Sequence, residues 1–257
     1  MSGSKRTTEV FTVDEVGEEV ERASDNGNRY MYESYVQPCL AELFGTSLLV
    51  FVGCSSVIGN VGSGVLQPAL ATGLILGVLI MVFGKISGGH FNPAVTLSVY
   101  LCGGMELILT VPYLVAQILG GMIGAALTKA IYPTSLYDFA LGGAIQPGTS
   151  DLIEATVAEM MLTLILTTVV CLGEVNDHTR SPTAPFCVGL TVTANILAGG
   201  ILSGACMNPV RAFGPAVVAN HWTHHWIYWV GPMGGALLTV TFVRLFFGDQ
   251  RTRIMLK

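Results

Sequence analysis

Two Asn-Pro pairs, Asn92-Pro93 and Asn208-Pro209, stand 116 residues apart in a chain of 257. Each opens an apolar stretch (92–101 and 208–218) too short to cross a bilayer, which takes about 20 residues. Asn is among the best N-caps and Pro is favoured at the first helical position, so each pair reads as a helix start. A helix start carries about half a positive charge. Two of them meeting at membrane depth repel cations, hydronium included. Each Asn can cap with its oxygen and aim amide N–H groups into a cavity. That chemistry breaks no bond: it accepts water or another neutral hydrogen-bonding solute and disfavours a proton. Arg211 falls in the first turn of the second short segment. A charge at that depth is costly and functional by default, so a pore-lining role is expected, with a structural ion pair as the alternative. Glu42 and Glu159 lie 117 residues apart in apolar surroundings. They could form a proton relay of the transporter kind. The plainer expectation is that they are structural, each accepting hydrogen bonds from backbone N–H groups of the nearby re-entrant loop.

Six longer apolar stretches must position these groups, at roughly 36–56, 67–86, 108–131, 151–173, 184–202 and 226–248. Hydrophobic residues make up 51% of the chain and charged ones only 11%, against about 25% in a soluble domain. With a mean hydropathy of +0.62, that composition predicts an all-α integral membrane protein. Lys5, Arg6, Arg22, Arg29, Lys85, Arg180, Arg244, Arg251, Arg253 and Lys257 all fall on one side if both termini are cytoplasmic, which sets the expected orientation. The loop 132–150 is then outside. Ala41-Glu42 and Ala158-Glu159 open equivalent spans, and Asn92-Pro93-Ala94-Val95 is echoed by Asn208-Pro209-Val210-Arg211. Three spans per copy is odd, so the second copy enters upside down. Inverted repeats place their sites near the midplane, at the ends of discontinuous helices. The expected division is a disordered acidic cytoplasmic tail at 1–35, a single channel domain at 36–248 (repeats at about 36–131 and 151–248), and a short cytoplasmic tail at 249–257. Glycine pairs such as Gly73 and Gly77, or Gly120 and Gly124, suit close helix packing in lipid.

The acidic tail and a sequence pI near 5.5 argue against nucleic-acid binding. No nucleophile–base pair or phosphate-cradling loop stands out, so no enzyme and no cofactor are expected. His221, His224 and His225 could hold a metal. The plainer reading of that stretch, with Trp222, Trp226 and Trp229, is an interfacial aromatic belt, and no metal is expected. The six cysteines are scattered without a CxxC pair.

Ser87-Gly88-Gly89-His90-Phe91-Asn92-Pro93-Ala94-Val95 closely resembles the first signature of the aquaporin (major intrinsic protein) family. Gly204-Ala205-Cys206-Met207-Asn208-Pro209-Val210-Arg211-Ala212-Phe213-Gly214-Pro215 resembles the second. The resemblance covers about residues 36–248. It implies six transmembrane helices plus two re-entrant half-helices in an inverted 3+3 repeat, a pore in every subunit and a homotetramer in the lipid bilayer. It also places a selectivity filter at Thr72, Ile196, Ala205 and Arg211. Strict water channels carry Phe, His, a small residue and Arg there, so this aperture is expected to be wider and less polar on one wall. The Ile–Ala–Arg set, Cys206-Met207 and the stretch His225-Trp226-Ile227-Tyr228-Trp229 are similar to the aquaporin-8 branch, which is associated with water, ammonia and hydrogen peroxide. That branch usually has His where Thr72 stands, and Val210 replaces the usual Ala. Ala212 and Tyr228-Trp229 differ from the Asp and Pro-Leu of glycerol facilitators, leaving a glycerol- or urea-permeable channel as the alternative. A secondary active transporter is more remote. Cys206 should lie near the outer constriction, a possible mercurial or redox site. The plasma membrane is the expected location, with an internal membrane, mitochondrial included, as the alternative.

Overall fold

The computed structural model describes residues 27–60, 64–250 and 253–254. Most of the expected acidic tail, residues 1–26, lies outside them. The chain divides into two compact units, Met1–Pro38 and Cys39–Lys257. In the first, the described residues are helical, with an exposed Arg29–Glu33 ion pair at 2.8 Å and an edge-on Tyr30–Tyr35 contact.

Nine helices carry the architecture of the described residues: α1 (Gln37–Ile58), α2 (Leu66–Ser87), α3 (Pro93–Leu101), α4 (Leu107–Ile131), α5 (Thr134–Phe139), α6 (Leu152–Val170), α7 (Ala184–Ser203), α8 (Pro209–Ala219) and α9 (Ile227–Phe242). No strand occurs among these residues. Six of the helices (α1, α2, α4, α6, α7 and α9) are long and apolar enough to cross a membrane. The other two of functional interest, α3 and α8, are half-spans. Asn92 and Asn208 cap their starts, and Pro93 and Pro209 occupy the first helical position. Their ends are equally local. The backbone turns left-handed at Gly103 after α3 and at Asn220 after α8. The helices α2 and α7 stop alike, at Gly88 and Gly204, with φ of 87° and 86°. A left-handed glycine is the commonest helix stop.

The expected span limits hold to within a few residues, except at two ends. α6 and α9 do not simply terminate but widen into π-type turns at Cys171–Val175 and Val243–Phe247. The loop 132–150 also contains more than the sequence suggested: α5 and a tight turn, Leu141–Gly143.

Helix approach is set by glycines that recur at the repeat spacing. A Cβ on Gly73 of α2 would sit 2.5 Å from the Gly189 carbonyl of α7, and one on Gly189 would sit 2.6 Å from the Gly73 carbonyl. The two halves thus meet each other through equivalent residues. Within the first half, Gly120 and Gly124 of α4 press on the Leu43 and Ser47 carbonyls of α1. Within the second, Gly235 of α9 presses on the Met160 carbonyl of α6. Outward faces are apolar. Along α2, Leu66, Leu70, Leu74, Val78, Met81 and Val82 are exposed, the stripe expected of a lipid-facing surface.

Candidate permeation pathway

The loops that enter the membrane before α3 and α8 are each held by one buried carboxylate. Glu42 on α1 accepts from the Ser87 hydroxyl at 2.7 Å and from the backbone N–H of His90 and Phe91 at 2.9 and 2.7 Å. Glu159 on α6 accepts from the Ser203 hydroxyl and the backbone N–H of Cys206 and Met207, all at 2.7 Å. A tyrosine hydroxyl completes each set: Tyr113 donates to the Ser87 carbonyl and Tyr228 to the Ser203 carbonyl, both at 2.8 Å. Each carboxylate is fully buried, which is tolerable only with such donors around it. The donors are needed because the loop backbone is strained. Phe91 and Met207 stand at φ of 49° and 55°, and Ala205 takes at 49° the position that Gly89 takes at 64°. Side-chain residues rarely adopt that region and persist there only when over-determined. The halves differ in how the carboxylate is reached from the third span. Gln117 of α4 donates to both Glu42 and Thr96 at 2.8 Å, and the Glu159 cluster has no such amide among the bonds described.

Held this way, the two half-helix starts meet. Asn92 Oδ1 accepts from the Ala94 N–H at 2.9 Å, and its amide donates to the Met207 carbonyl at 2.8 Å. Asn208 mirrors it, accepting from the Val210 N–H at 3.1 Å and donating to the Phe91 carbonyl at 2.9 Å. Each asparagine therefore clamps the opposite loop with one amide N–H. The second N–H is left for whatever occupies the space alongside. Both residues line a cavity of about 680 Å³. One end of that cavity is rimmed by Asp177, Arg180 and Ser181 of the α6–α7 loop, the other by Val57, Pro68 and Ile145. A second space of about 360 Å³ shares Val57, Pro68, Ile145, Ile196 and Gly204 with it, extending that end.

Thr72, Ile196, Ala205, Cys206 and Arg211 line the same cavity. Arg211 is 5% exposed, and no carboxylate lies within ion-pair reach of it among the described residues. Its Nη1 donates instead to the Gly143 carbonyl at 3.1 Å, delivered by the tight turn after α5. Room for the guanidinium comes from Gly53 of α1, where a Cβ would lie 2.6 Å from the arginine Nε. Cys206 both borders the cavity and packs behind α8 with Ala155, Ala212, Ile227 and Tyr228, its thiol donating to the Asn208 carbonyl at 3.0 Å. Ala94 and Val210 are fully buried and do not border the cavity. Val210 instead meets Gly121 of α4, whose Cβ would approach the Val210 carbonyl to 2.9 Å. Participants that escaped the sequence reading as site residues include Gly53, Gly143, Gln117, Tyr113 and His90. His90 borders the cavity with Nδ1 at 3.1 Å from the Thr96 hydroxyl.

The His/Trp stretch forms an aromatic cluster around Phe213, which contacts Trp222, His225 and Trp229. Trp229 Nε1 donates to His225 Nε2 at 3.1 Å. No three potential metal ligands come together among the described residues.

The Major intrinsic protein family profile matches residues 30–242. Rat (Rattus norvegicus) aquaporin-8 is 50% identical over 94% of this chain and 93% of its own, and mouse (Mus musculus) aquaporin-8 is 51% identical over 89% and 88%. The lens fiber major intrinsic protein of Lithobates pipiens is 35% identical over 85% of this chain and 84% of its own. Among solved structures, the aquaglyceroporin from Plasmodium falciparum superposes with a TM-score of 0.72, covering 81% of this chain and 95% of that one. At 24% identity, that match speaks to the fold alone.

Proposed function

The chain is a member of the major intrinsic protein (aquaporin) family, and from that premise we propose that its cavity conducts water and small neutral solutes passively while rejecting protons and ions. It is a channel and not an enzyme. The observation that carries the reading is the crossed asparagine pair. Two helix starts are fixed end to end, each with a free amide N–H beside a continuous cavity. A water passing there accepts hydrogen bonds from both amides, so it cannot also accept from its neighbours in file, and the positive helix ends repel hydronium.

In our reading Thr72, Ile196, Ala205 and Arg211 form the selectivity filter. With a short hydroxyl and an aliphatic side chain on two walls, ammonia and hydrogen peroxide are the solutes proposed alongside water. Ala212 and the fully buried Tyr228 weigh against glycerol. Placement of Lys and Arg supports cytoplasmic termini, with tails at 1–35 and 249–257 flanking a channel domain at 36–248. We take the assembly to be a homotetramer with one pore per subunit, in the plasma membrane.

Stopped-flow light scattering on proteoliposomes given a hypertonic glycerol shock tests this. Fast shrinkage without prompt reswelling is expected. Fast shrinkage followed by reswelling would assign the glycerol-permeable class. Shrinkage no faster than in empty vesicles, with insertion verified, would overturn the channel reading.

A further inference from the structure

The segment after α9 is anchored. Asp249 is 7% exposed, and its Oδ2 accepts the backbone N–H of Asp177 at 2.8 Å. Its own N–H donates to Asn176 Oδ1 at 2.9 Å. Asn176 is buried in turn, and its amide donates to the Thr179 hydroxyl at 2.8 Å. Beyond Asp249 the chain folds back: Arg253 N–H donates to the Asp249 carbonyl and Ile254 N–H to the Arg244 carbonyl, each at 2.8 Å. Arg244 Nη1 reaches the Leu101 carbonyl at the end of α3, also at 2.8 Å. One short segment therefore holds the α6–α7 loop from outside and is tied through Arg244 to the foot of the first half-helix.

The loop it holds supplies Asp177, Arg180 and Ser181 to the rim of the cavity. Its own backbone bonds are local, Thr179 and Arg180 N–H to the Asn176 carbonyl and Ser181 N–H to the Gly173 carbonyl, so where Asn176 is held decides where the turn sits. A buried carboxylate is an expensive way to fix it, because every hydrogen bond it fails to make is a cost. Asp177 and Arg180 pair with each other at 3.4 Å, so wherever the loop backbone goes, a long cationic side chain goes with it.

We propose that Asp249 is a positioning residue for this mouth: by holding the backbone of Asn176 and Asp177 it keeps Arg180 at the rim instead of across it, and the C-terminal segment thereby sets the permeation rate. The proposal rests on the cavity being the conducting path. Failure of that reading shows in wild-type vesicles; failure of this one shows only in the difference between variants.

The test compares wild type, Asp249→Ala and Asp249→Asn, full-length, in proteoliposomes matched for inserted protein. Asp249→Ala should lower unit water permeability, because losing at least one net hydrogen bond shifts the ratio of the two Arg180 positions by about fivefold toward the blocked one. Asp249→Asn, which keeps an acceptor oxygen, should recover most of it. Tryptic cleavage after Arg180 in detergent should accelerate in the Ala variant alone, with the melting temperature of the helical fold unchanged. Unchanged permeability in Asp249→Ala, with cleavage accelerated, would overturn the proposal, since the loop would then be free without consequence. Equal losses in the Ala and Asn variants would overturn it too. If Asp249→Ala fails to insert, Asn176→Ala removes the other acceptor and is read by the same criteria.

Discussion

At the scale of single residues, Arg211 is fixed by one glycine's missing side chain and another's carbonyl. A methyl on Gly53 would run into the guanidinium, and the Gly143 carbonyl accepts a hydrogen bond from the same group. Gly53→Ala should displace the guanidinium into the lumen and lower water permeability. Arg211→Ala should do the reverse, widening the solute range and admitting a cation leak, read as urea uptake and as membrane current. Equal selectivity in both variants would remove Arg211 from the filter. A second residue-scale expectation concerns His225, whose ring burial pulls its pKa below the ordinary histidine range. Its Nε2 accepts from Trp229, which only the neutral ring can do. Its contribution should be fully present above the ordinary value of about 6.5 and be lost as pH falls through that value toward the lower folded one. Melting temperatures compared at mildly acidic and neutral pH should therefore diverge more in wild type than in His225→Phe. What was legible at this scale were residues whose type is costly at membrane depth: Arg211, the two asparagines and the two glutamates. Gly53 and Gly143 were not, because a glycine's role is defined by what stands opposite it after folding. Thr72 and Ile196 could be picked out only by family resemblance, since neither type is unusual in an apolar helix.

At the scale of elements, the crossing of α2 and α7 governs the cavity. Thr72, Leu76, Val188, Val192 and Ile196 line it from these two helices, which pack tightly at Gly73 against Gly189. Gly189→Ala gains helix propensity, about 1 kcal/mol. It also forces a methyl to within 2.6 Å of a carbonyl oxygen, where overpacking costs typically about 1–3 kcal/mol. The variant should melt lower than wild type and conduct less, because relief of the clash moves the lining residues with the helix axes. A variant that melts higher would mean that the crossing is loose. The spans were readable in sequence because length and apolarity alone decide what can cross a bilayer. The half-helices were readable because Asn-Pro is a start signal whatever surrounds it. By contrast α5 and the turn at Leu141–Gly143 lie in a loop of mixed composition bearing glycine and proline, where no periodicity marks them. The widened turn ending α9 carries no proline or glycine within it, and the one ending α6 carries only Gly173, which does not by itself announce a π-type turn.

For the whole molecule the ordering principle is the inverted repeat, and its first consequence is an orientation. A cysteine placed at His178 should react with an impermeant maleimide only after cells are opened. One placed at Thr149 should react in intact cells, each in a background lacking the exposed Cys187. The opposite pattern would invert the assignment of both tails. A second consequence concerns how the chain comes to exist. Asn92 finds its partner carbonyl at Met207, and Asn208 finds its own at Phe91. During synthesis, at about 5–20 residues per second, the first loop thus waits on the order of ten seconds with its amide unanswered in the membrane. Neither half is a smaller version of the pore. A ribosome that stops between the two asparagines leaves a first loop braced by Glu42 but with an Asn92 amide that only the missing sequence can answer.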